Sequence, residues 1–557
     1  MRTLRTTRIL CILLATTAGA ALPAVAETRA APVAVGITAP PVALGPEAEA
    51  FRDALGRALA GLPADQRTAI DGFYAARAYA PFWTEPGSPR GSDLVAALAA
   101  SGDQALPVAR YDAEALALGL GASDPTTVPV REAALTRAFL RYAGDLSAGV
   151  LDPSSVVEDI SRHPVRPAAP ALVAPLATVP VAEVLAGLAP ADPDYARLVA
   201  EKRRLEAEAR TTSWGPAVAG GATLHPGDRE PRVAELRARL ARLGYLAPEG
   251  EAVDPVYDPN LEQAVKRFQA DHGLVDDGVA GAMTLAAVNA PIETRLAQVA
   301  VNLERIRWMP RDLGDRYLSV NIPDFTVDLV ESGRSIWESR VVVGKANVTE
   351  TPEFSDEVTY MVVNPTWHIP DSIAIRDYLP KLQRDPMVLK RQNIRLLTRG
   401  GTEINPKLVD FRQYTPENFP FRIKQRPNDD NALGKVKFMF PNEFSIYLHD
   451  TPHKEYFARD VRAYSNGCIR VQKPDELAHL LLAGQVPDPA AAFDGWLAAK
   501  SERTVNLTQS IPIHIVYRTA FFEPDGSLAY RPDVYGRDAR VFEALEAIGV
   551  TLPAAQG

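Results

Sequence analysis

The chain is 557 residues long, 46% hydrophobic and 23% charged, with 60 Lys and Arg against 69 Asp and Glu for a formal charge of -9. That length implies about two to four domains, and the apolar content suits large cores and excludes wholesale disorder. The acidic balance argues against nucleic acid as a partner, because neutralising phosphates takes clustered Lys and Arg.

Residues 1–26 read as a secretory signal peptide. Arg2, Arg5 and Arg8 give a basic start, residues 9–22 an apolar core, and Ala24, Val25 and Ala26 a small-residue cleavage site. The apolar run is short for a membrane span, and no second run of about 18 apolar residues follows. Export to the periplasm is the expectation, with an uncleaved inner-membrane anchor as the alternative. Cleavage removes Cys11 and leaves Cys468 as the one remaining cysteine. Without a partner it is neither half of an internal disulfide nor a member of a multi-cysteine zinc site, so a reactive thiol is the leading reading.

Residues 27–45 are rich in Ala, Pro and Val without an apolar period, as in a flexible leader. Residues 46–215 turn Ala- and Leu-rich at helical spacing, with an aromatic cluster of Phe73, Tyr74, Phe82 and Trp83 and a Pro-rich surface loop over 164–180. No chemical constellation stands out there, and a helical scaffold is expected. Over 228–289, Val233, Leu236, Leu240 and Leu243 share a helical face. Asp258-Pro259 caps a second helix carrying Leu261, Val265 and Phe268, and a third short helix follows Asp277-Gly278. This run resembles the small three-helix peptidoglycan-binding module found on many cell-wall enzymes. Residues 290–315 supply a linking helix, with Leu296, Val299, Leu303 and Ile306 in step.

From Tyr317 the period falls to two. Strands are expected over 317–322, 325–330 and 335–343, with a hairpin turn at Gly333, and again over 359–363, 436–440, 444–449 and 511–517. A departure over 371–431, helical at first and then charged and Pro-rich, interrupts them. Helices are expected over 474–482 and 540–548. The fold class is therefore multi-domain α+β: a helical scaffold, a three-helix module, and a β-rich catalytic domain over 316–557 with a helical or loop insertion.

Within that domain a thiol, an imidazole, a glycine and an arginine fall close together. His449 ends one strand, and Cys468 follows nineteen residues later in Ser465-Asn466-Gly467-Cys468-Ile469-Arg470. A thiol of ordinary pKa ~8.5 needs a base to become a nucleophile, and its attack needs N–H groups aimed at the oxyanion. Gly467 lets the backbone turn sharply and aim the amides of Asn466, Gly467 and Cys468 at one spot. Tyr447 shares a strand face with His449 and either orients it or packs on it. His449 and His453 are four apart, but Pro452 between them disfavours the helix that a metal-binding pair needs, and neither a metal nor an organic cofactor is expected.

The stretch from Tyr447 to Pro452, followed by the Ser-Asn-Gly-Cys-Ile-Arg segment, resembles the active-site signature of the L,D-transpeptidases. The helical region, single module and interrupted β domain resemble that family's large multi-domain periplasmic branch. Residues 364–370, which include Trp367, and residues 428–434 are similar to further stretches of its catalytic domain. Many smaller members have His where this chain has Asn466, which leaves the base role to His449 alone. The resemblance implies cysteine acyl transfer on peptidoglycan stem peptides, with Cys468 as nucleophile, His449 as base and the amides near Gly467 as oxyanion donors. It implies that Tyr447, Ser465, Asn466, Arg470 and Trp367 bind substrate, Arg470 through a substrate carboxylate or else a structural carbonyl. It implies peptidoglycan stems and glycan as partners, cell-wall synthases as candidate partners, and carbapenem antibiotics as inhibitors. A non-catalytic peptidoglycan-binding scaffold and a carboxypeptidase trimming tetrapeptide stems are the alternatives.

Overall fold

The computed structural model describes residues 44–211, 214–247 and 254–553. The expected signal, Cys11 and nearly all of the leader lie outside them. The first part is helical. Its longest helix, Val128–Ala148, is buried along most of its length, and Glu132 on it ties down the aromatic cluster. That fully buried carboxylate accepts from the backbone N–H groups of Phe82, Trp83 and Thr84 at 3.0, 3.1 and 2.7 Å and from the Tyr74 hydroxyl at 2.6 Å. A buried carboxylate persists only when hydrogen-bonded in this way. The Pro-rich stretch differs from the expected surface loop. It forms short helices at Ala169–Val173 and Ala174–Ala177 that bury Leu172 and Leu176, with Pro170 and Pro175 in their first turns. Proline at a helix start costs no hydrogen bond, so a Pro-rich sequence is compatible with short helices.

Three helices, Pro231–Arg242, Pro259–Asp271 and Ala282–Val288, enclose the small core of the second unit. Asp258 caps the middle helix, its carboxylate accepting from the Leu261 N–H at 2.8 Å. The following helix, Ile292–Arg307, is more than a link: it is buried on nearly every face. Leu296, Val299, Ala300 and Leu303 complete the scaffold core, while Val301 packs against Val541 and Leu545 of the C-terminal helix Arg537–Ala547.

The β domain is a nine-stranded sheet. Its strands are β1 Arg316–Asn321, β2 Thr326–Glu331, β3 Arg334–Gly344, β4 Phe354–Val363, β9 Val436–Met439, β10 Leu448–His449, β11 Ala463–Ser465, β12 Ile469–Val471 and β13 Arg503–Val516. They run in the order β11-β3-β12-β10-β9-β4-β13-β1-β2, and β3 also pairs with β2, so the ladder closes on itself. The long β3 allows this: its first part pairs with β2, and Val341 and Val342 go on to pair with β12. Alternate residues fill the interior, among them Val320, Val327, Phe438, Leu448 and Ile469, with Leu477 and Leu481 of the helix Pro474–Leu482 packed against them.

The strand expected over 444–449 is reduced to Leu448 and His449. Ser445 sits in the left-handed region (φ 57°). The Asn442 side chain holds that turn, accepting from the Ile446 N–H at 3.1 Å and donating to the Ile446 carbonyl at 2.8 Å. An Asn side chain that supplies local hydrogen bonds competes with the sheet in this way. The insertion also differs from expectation. It contains short helices, but its frame is a second sheet of β5 Trp367–Ile369, β6 Ile394–Thr398, β7 Glu403–Ile404 and β8 Phe421–Gln425 in the order β5-β8-β6-β7. Its own core includes Leu382, Leu389, Phe411 and Ile423.

Candidate active site

Three neighbouring strands build the site. In β9, β10 and β12, Phe438, Leu448 and Ile469 lie in one row and point into the core. The next row, Lys437, His449 and Arg470, therefore lies on the opposite face, as the period of two requires. One step the other way puts Tyr447 beside Cys468, and the Ile469 N–H donates to the Tyr447 carbonyl at 3.1 Å. Tyr447, His449, Cys468 and Arg470 thus share one face, although nineteen residues separate the imidazole from the thiol in sequence.

His449 is buried, and its Nδ1 bonds the Asp450 carbonyl. A carbonyl only accepts, so Nδ1 carries the proton and Nε2 keeps its lone pair. Burial first, then the Arg470 guanidinium and the ammonium groups of Lys437 and Lys454, push the imidazole down to about 3, so it is neutral. Asp450 is spoken for: its carboxylate accepts from the backbone N–H groups of Lys435 and Thr451 at 2.9 and 2.7 Å and from Lys454 Nζ at 2.6 Å.

Cys468 is half-buried. Its thiol donates to the Ser445 carbonyl at 3.6 Å and interacts with Tyr447 rather than with the imidazole. Burial pushes the thiol up to about 11, against the pull of Tyr447, Arg470 and Lys437. The resting pair is thus a thiol and a neutral imidazole. The Tyr447 ring packs 5.6 Å from the His449 ring, and Tyr447 also interacts with the thiol.

The turn before the cysteine is tightly held. Gly467 has φ 103°, a conformation that L side chains rarely adopt, and a Cβ there would come within 3.1 Å of Ile446 Cδ1. Its N–H donates to Ser465 Oγ at 3.1 Å and its carbonyl accepts from Thr351 Oγ1 at 2.7 Å. One expectation changes: the Gly467 amide is engaged inside the turn and is not a free oxyanion donor. Ser465 is buried, and its hydroxyl accepts from that amide. Asn466 is exposed and accepts from Arg376 of the insertion at 2.8 Å. Trp367, Arg376, Tyr378, Lys381 and Asn466 line a cleft of about 350 Å³ between the insertion and this turn.

Arg470 stacks on Tyr456 at 5.6 Å, and its Nε and Nη1 are buried without a hydrogen-bond partner among the described residues. Lys437 escaped the sequence reading. The signal for it was the alternation of Val436, Phe438 and Phe440, which sends Lys437 to the face of His449. His453 lies in a loop, 3.1 Å from Glu455.

Residues 315–488 match the family model described as the L,D-transpeptidase catalytic domain, residues 68–201 match a scaffold domain, and residues 229–288 match a "putative peptidoglycan binding domain". The protein is thus a multi-domain chain carrying an L,D-transpeptidase catalytic domain and a peptidoglycan-binding domain. It is 35% identical over 252 residues to a Haemophilus influenzae protein named "Putative L,D-transpeptidase", covering 45% of this chain and 50% of that one. It is 37% identical over 75 residues to the N-acetylmuramoyl-L-alanine amidase CwlM of Mycobacterium tuberculosis, covering 12% of this chain and 18% of that one. The chain thus spans half or less of the length of these relatives. Crystal structures of L,D-transpeptidases from Xylanimonas cellulosilytica and Stackebrandtia nassauensis each cover 54% of this chain and 100% and 97% of their own. Their identities are 16% and 13% and their TM-scores 0.17 and 0.20. No helix among the described residues is long and apolar enough to cross a membrane.

Proposed function

We propose that the protein is an exported, periplasmic L,D-transpeptidase that forms 3→3 cross-links between peptidoglycan stems by acyl transfer through Cys468. The observation that carries this reading is the shared outer face of β10 and β12, with a thiol and an imidazole whose free Nε2 is the only nitrogen able to take a proton. The donor is a tetrapeptide stem. As His449 Nε2 takes the thiol proton, sulfur attacks the carbonyl joining the third, diamino-acid residue to the terminal D-Ala. The Cys468 amide faces the developing oxyanion, and a donor of this kind is worth about 3 kcal/mol of barrier. The proton on His449 passes to the departing amine of D-Ala, leaving a thioester. An amine of a neighbouring stem then attacks that thioester, His449 accepts its proton, and the thiol is restored.

The insertion is a lid in this reading. It rests on Asn466 through Arg376 and encloses the cleft beside Trp367, so it can hold a stem and exclude water, favouring an amine over hydrolysis. The peptidoglycan-binding domain suits retention at the wall, near synthases. The resemblance further implies a stable carbapenem adduct on Cys468.

Mass analysis of products from purified tetrapeptide-bearing disaccharides tests the reading. A 3→3 dimer with loss of D-Ala is the expected product. Tripeptide alone would mean a carboxypeptidase, and no change in the stems would mean a binding scaffold.

A further inference from the structure

The row Lys437–His449–Arg470 places a neutral imidazole between two cations on adjacent strands. Side chains directly opposite one another in a sheet lie about 5 Å apart at Cβ. Neither cation is in an ion pair among the described residues, which is uncommon for half-buried charge. Arg470 has two buried N–H groups without an acceptor among the described residues. Lys437 has only the face of the Tyr447 ring, 5.5 Å from Nζ, and burial holds its ammonium below its ordinary range. The charged and titratable groups around the imidazole account for the imbalance. Asp450 is occupied by Lys454; Tyr447 and Cys468 are neutral at rest; Glu502 near Lys437 and Glu455 near Arg470 lie beyond ion-pair distance. The site therefore carries uncompensated positive charge beside a base that must itself become positive to work.

We propose that Lys437 and Arg470 form an anion subsite for the free carboxylate of the donor stem's terminal residue, and that filling it enables His449 to accept the Cys468 proton. This rests on the acyl-transfer reading and deepens it. A carboxylate between the two cations offsets the charge that opposes an imidazolium, so the base acquires its competence when the correct substrate is seated. The proton still moves from sulfur to Nε2 and then to the departing amine; the carboxylate leaves with D-Ala, and a carboxylate of the acceptor stem refills the subsite when His449 takes the proton of the attacking amine and passes it to the departing thiolate. A donor whose terminal carboxyl is amidated would sit in the same cleft and leave the base disabled. Lys437 is here a specificity-determining residue that touches substrate.

Two measurements on the full chain test this. The first is alkylation of Cys468 by iodoacetate and by iodoacetamide, with N-acetylcysteine as the free-thiol reference. Wild type is expected to favour iodoacetate over iodoacetamide by about tenfold or more relative to that reference, as two nearby cations should attract an anion. The preference should fall most of the way toward the reference in Lys437→Met, where Arg470 alone remains, and survive in Lys437→Arg, with unchanged thermal unfolding in each. The second is acyl-enzyme formation, by intact mass, from tetrapeptide stems ending in D-Ala or in D-Ala amide. Wild type should strongly prefer the acid, and Lys437→Met should lose most of that preference by slowing with the acid while holding or gaining rate with the amide. A wild-type iodoacetate preference no greater than the reference, or one untouched by Lys437→Met, overturns the subsite. If the preference behaves as expected but neither stem acylates Cys468, the subsite stands and the transpeptidase reading fails.

Discussion

The Thr351 hydroxyl donates to the Gly467 carbonyl at 2.7 Å while accepting from the Gly344 N–H at 2.9 Å, joining the end of β3 to the turn that presents Cys468. Arg537 in turn donates to the Thr351 carbonyl at 3.0 Å, and the Tyr535 hydroxyl donates to the Gly344 carbonyl at 2.7 Å. The presentation of the thiol is thereby set from outside the three strands that carry the site.

Thr351→Val should therefore slow acylation of Cys468 by between about 10- and 100-fold, the scale of a small misplacement of reacting groups. It should also lower stability by about 2 kcal/mol for two lost hydrogen bonds. Thr351→Ser, which keeps both bonds, should recover most of the rate. Single-turnover kinetics and thermal melts on the two variants decide this. Equal rates in Val and Ser would leave Thr351 a packing residue only.

Cys468→Ala should abolish acyl transfer, and His449→Ala should keep the fold while slowing acylation roughly 10²-fold or more, the usual scale for a general base. Wild-type turnover by Cys468→Ala would end the cysteine mechanism. The readout is D-Ala release from a tetrapeptide stem.

The ionisation of the site gives a third test. The thiol is raised to about 11 and the imidazole lowered to about 3, so between these values both are neutral. Alkylation by iodoacetamide follows the thiolate fraction, so its rate should climb about tenfold per pH unit from pH 7 to 10. A rate already level above pH 6 would instead mean a preformed thiolate–imidazolium pair.

Most of the insertion can be removed together, because β6, β7, β8 and nearly all of its own core lie within 372–430. Replacing residues 372–430 with a short Gly-Ser linker should spare labelling of Cys468 by a small thiol reagent and suppress cross-linking of tetrapeptide stems. Arg376→Ala, which releases Asn466, should act in the same direction more weakly. Full cross-linking by the shortened, folded protein would refute the lid.

Strands β1, β2 and β3 were legible because alternation in Leu318, Val320, Val327 and Leu329 has no helical reading. The face shared by His449 and Cys468 was half legible. Spacing suggested that the two meet, but the parallel pairing of β10 with β12 is a long-range choice that no local pattern specifies. Lys437 was missed because a lone lysine in a strand reads as a solvent-facing residue until its neighbours are known. The sheet of the insertion was missed because β6 and β8 are separated by charged and Pro-rich turns, and β7 is only two residues long. The turn at Ser445 was hidden by an alternating run that would suit a strand, and a side chain of Asn442 decided otherwise.

The scaffold adds an edge to the catalytic domain as well as standing beside it. Ile160 bridges Glu353 in parallel, with the Ser161 N–H donating to the Glu353 carbonyl at 2.9 Å and the Glu353 N–H donating to the Asp159 carbonyl at 2.8 Å. The Glu353 carboxylate meets Arg305 and Arg537, so scaffold, buried helix and C-terminal helix converge two residues from Thr351. A fragment trimmed to the matched boundaries at 315 and 488 would lose β13 from between β4 and β1 and, with it, the groups that clamp the cysteine turn: Arg537 and Tyr535 fall beyond its end, and Arg305 and Ser161 before its start. Such a fragment would carry every residue of the reaction and still be expected to fail, with the sheet opened between β4 and β1 and the surfaces covered by the scaffold, the buried helix and the C-terminal helix exposed to solvent.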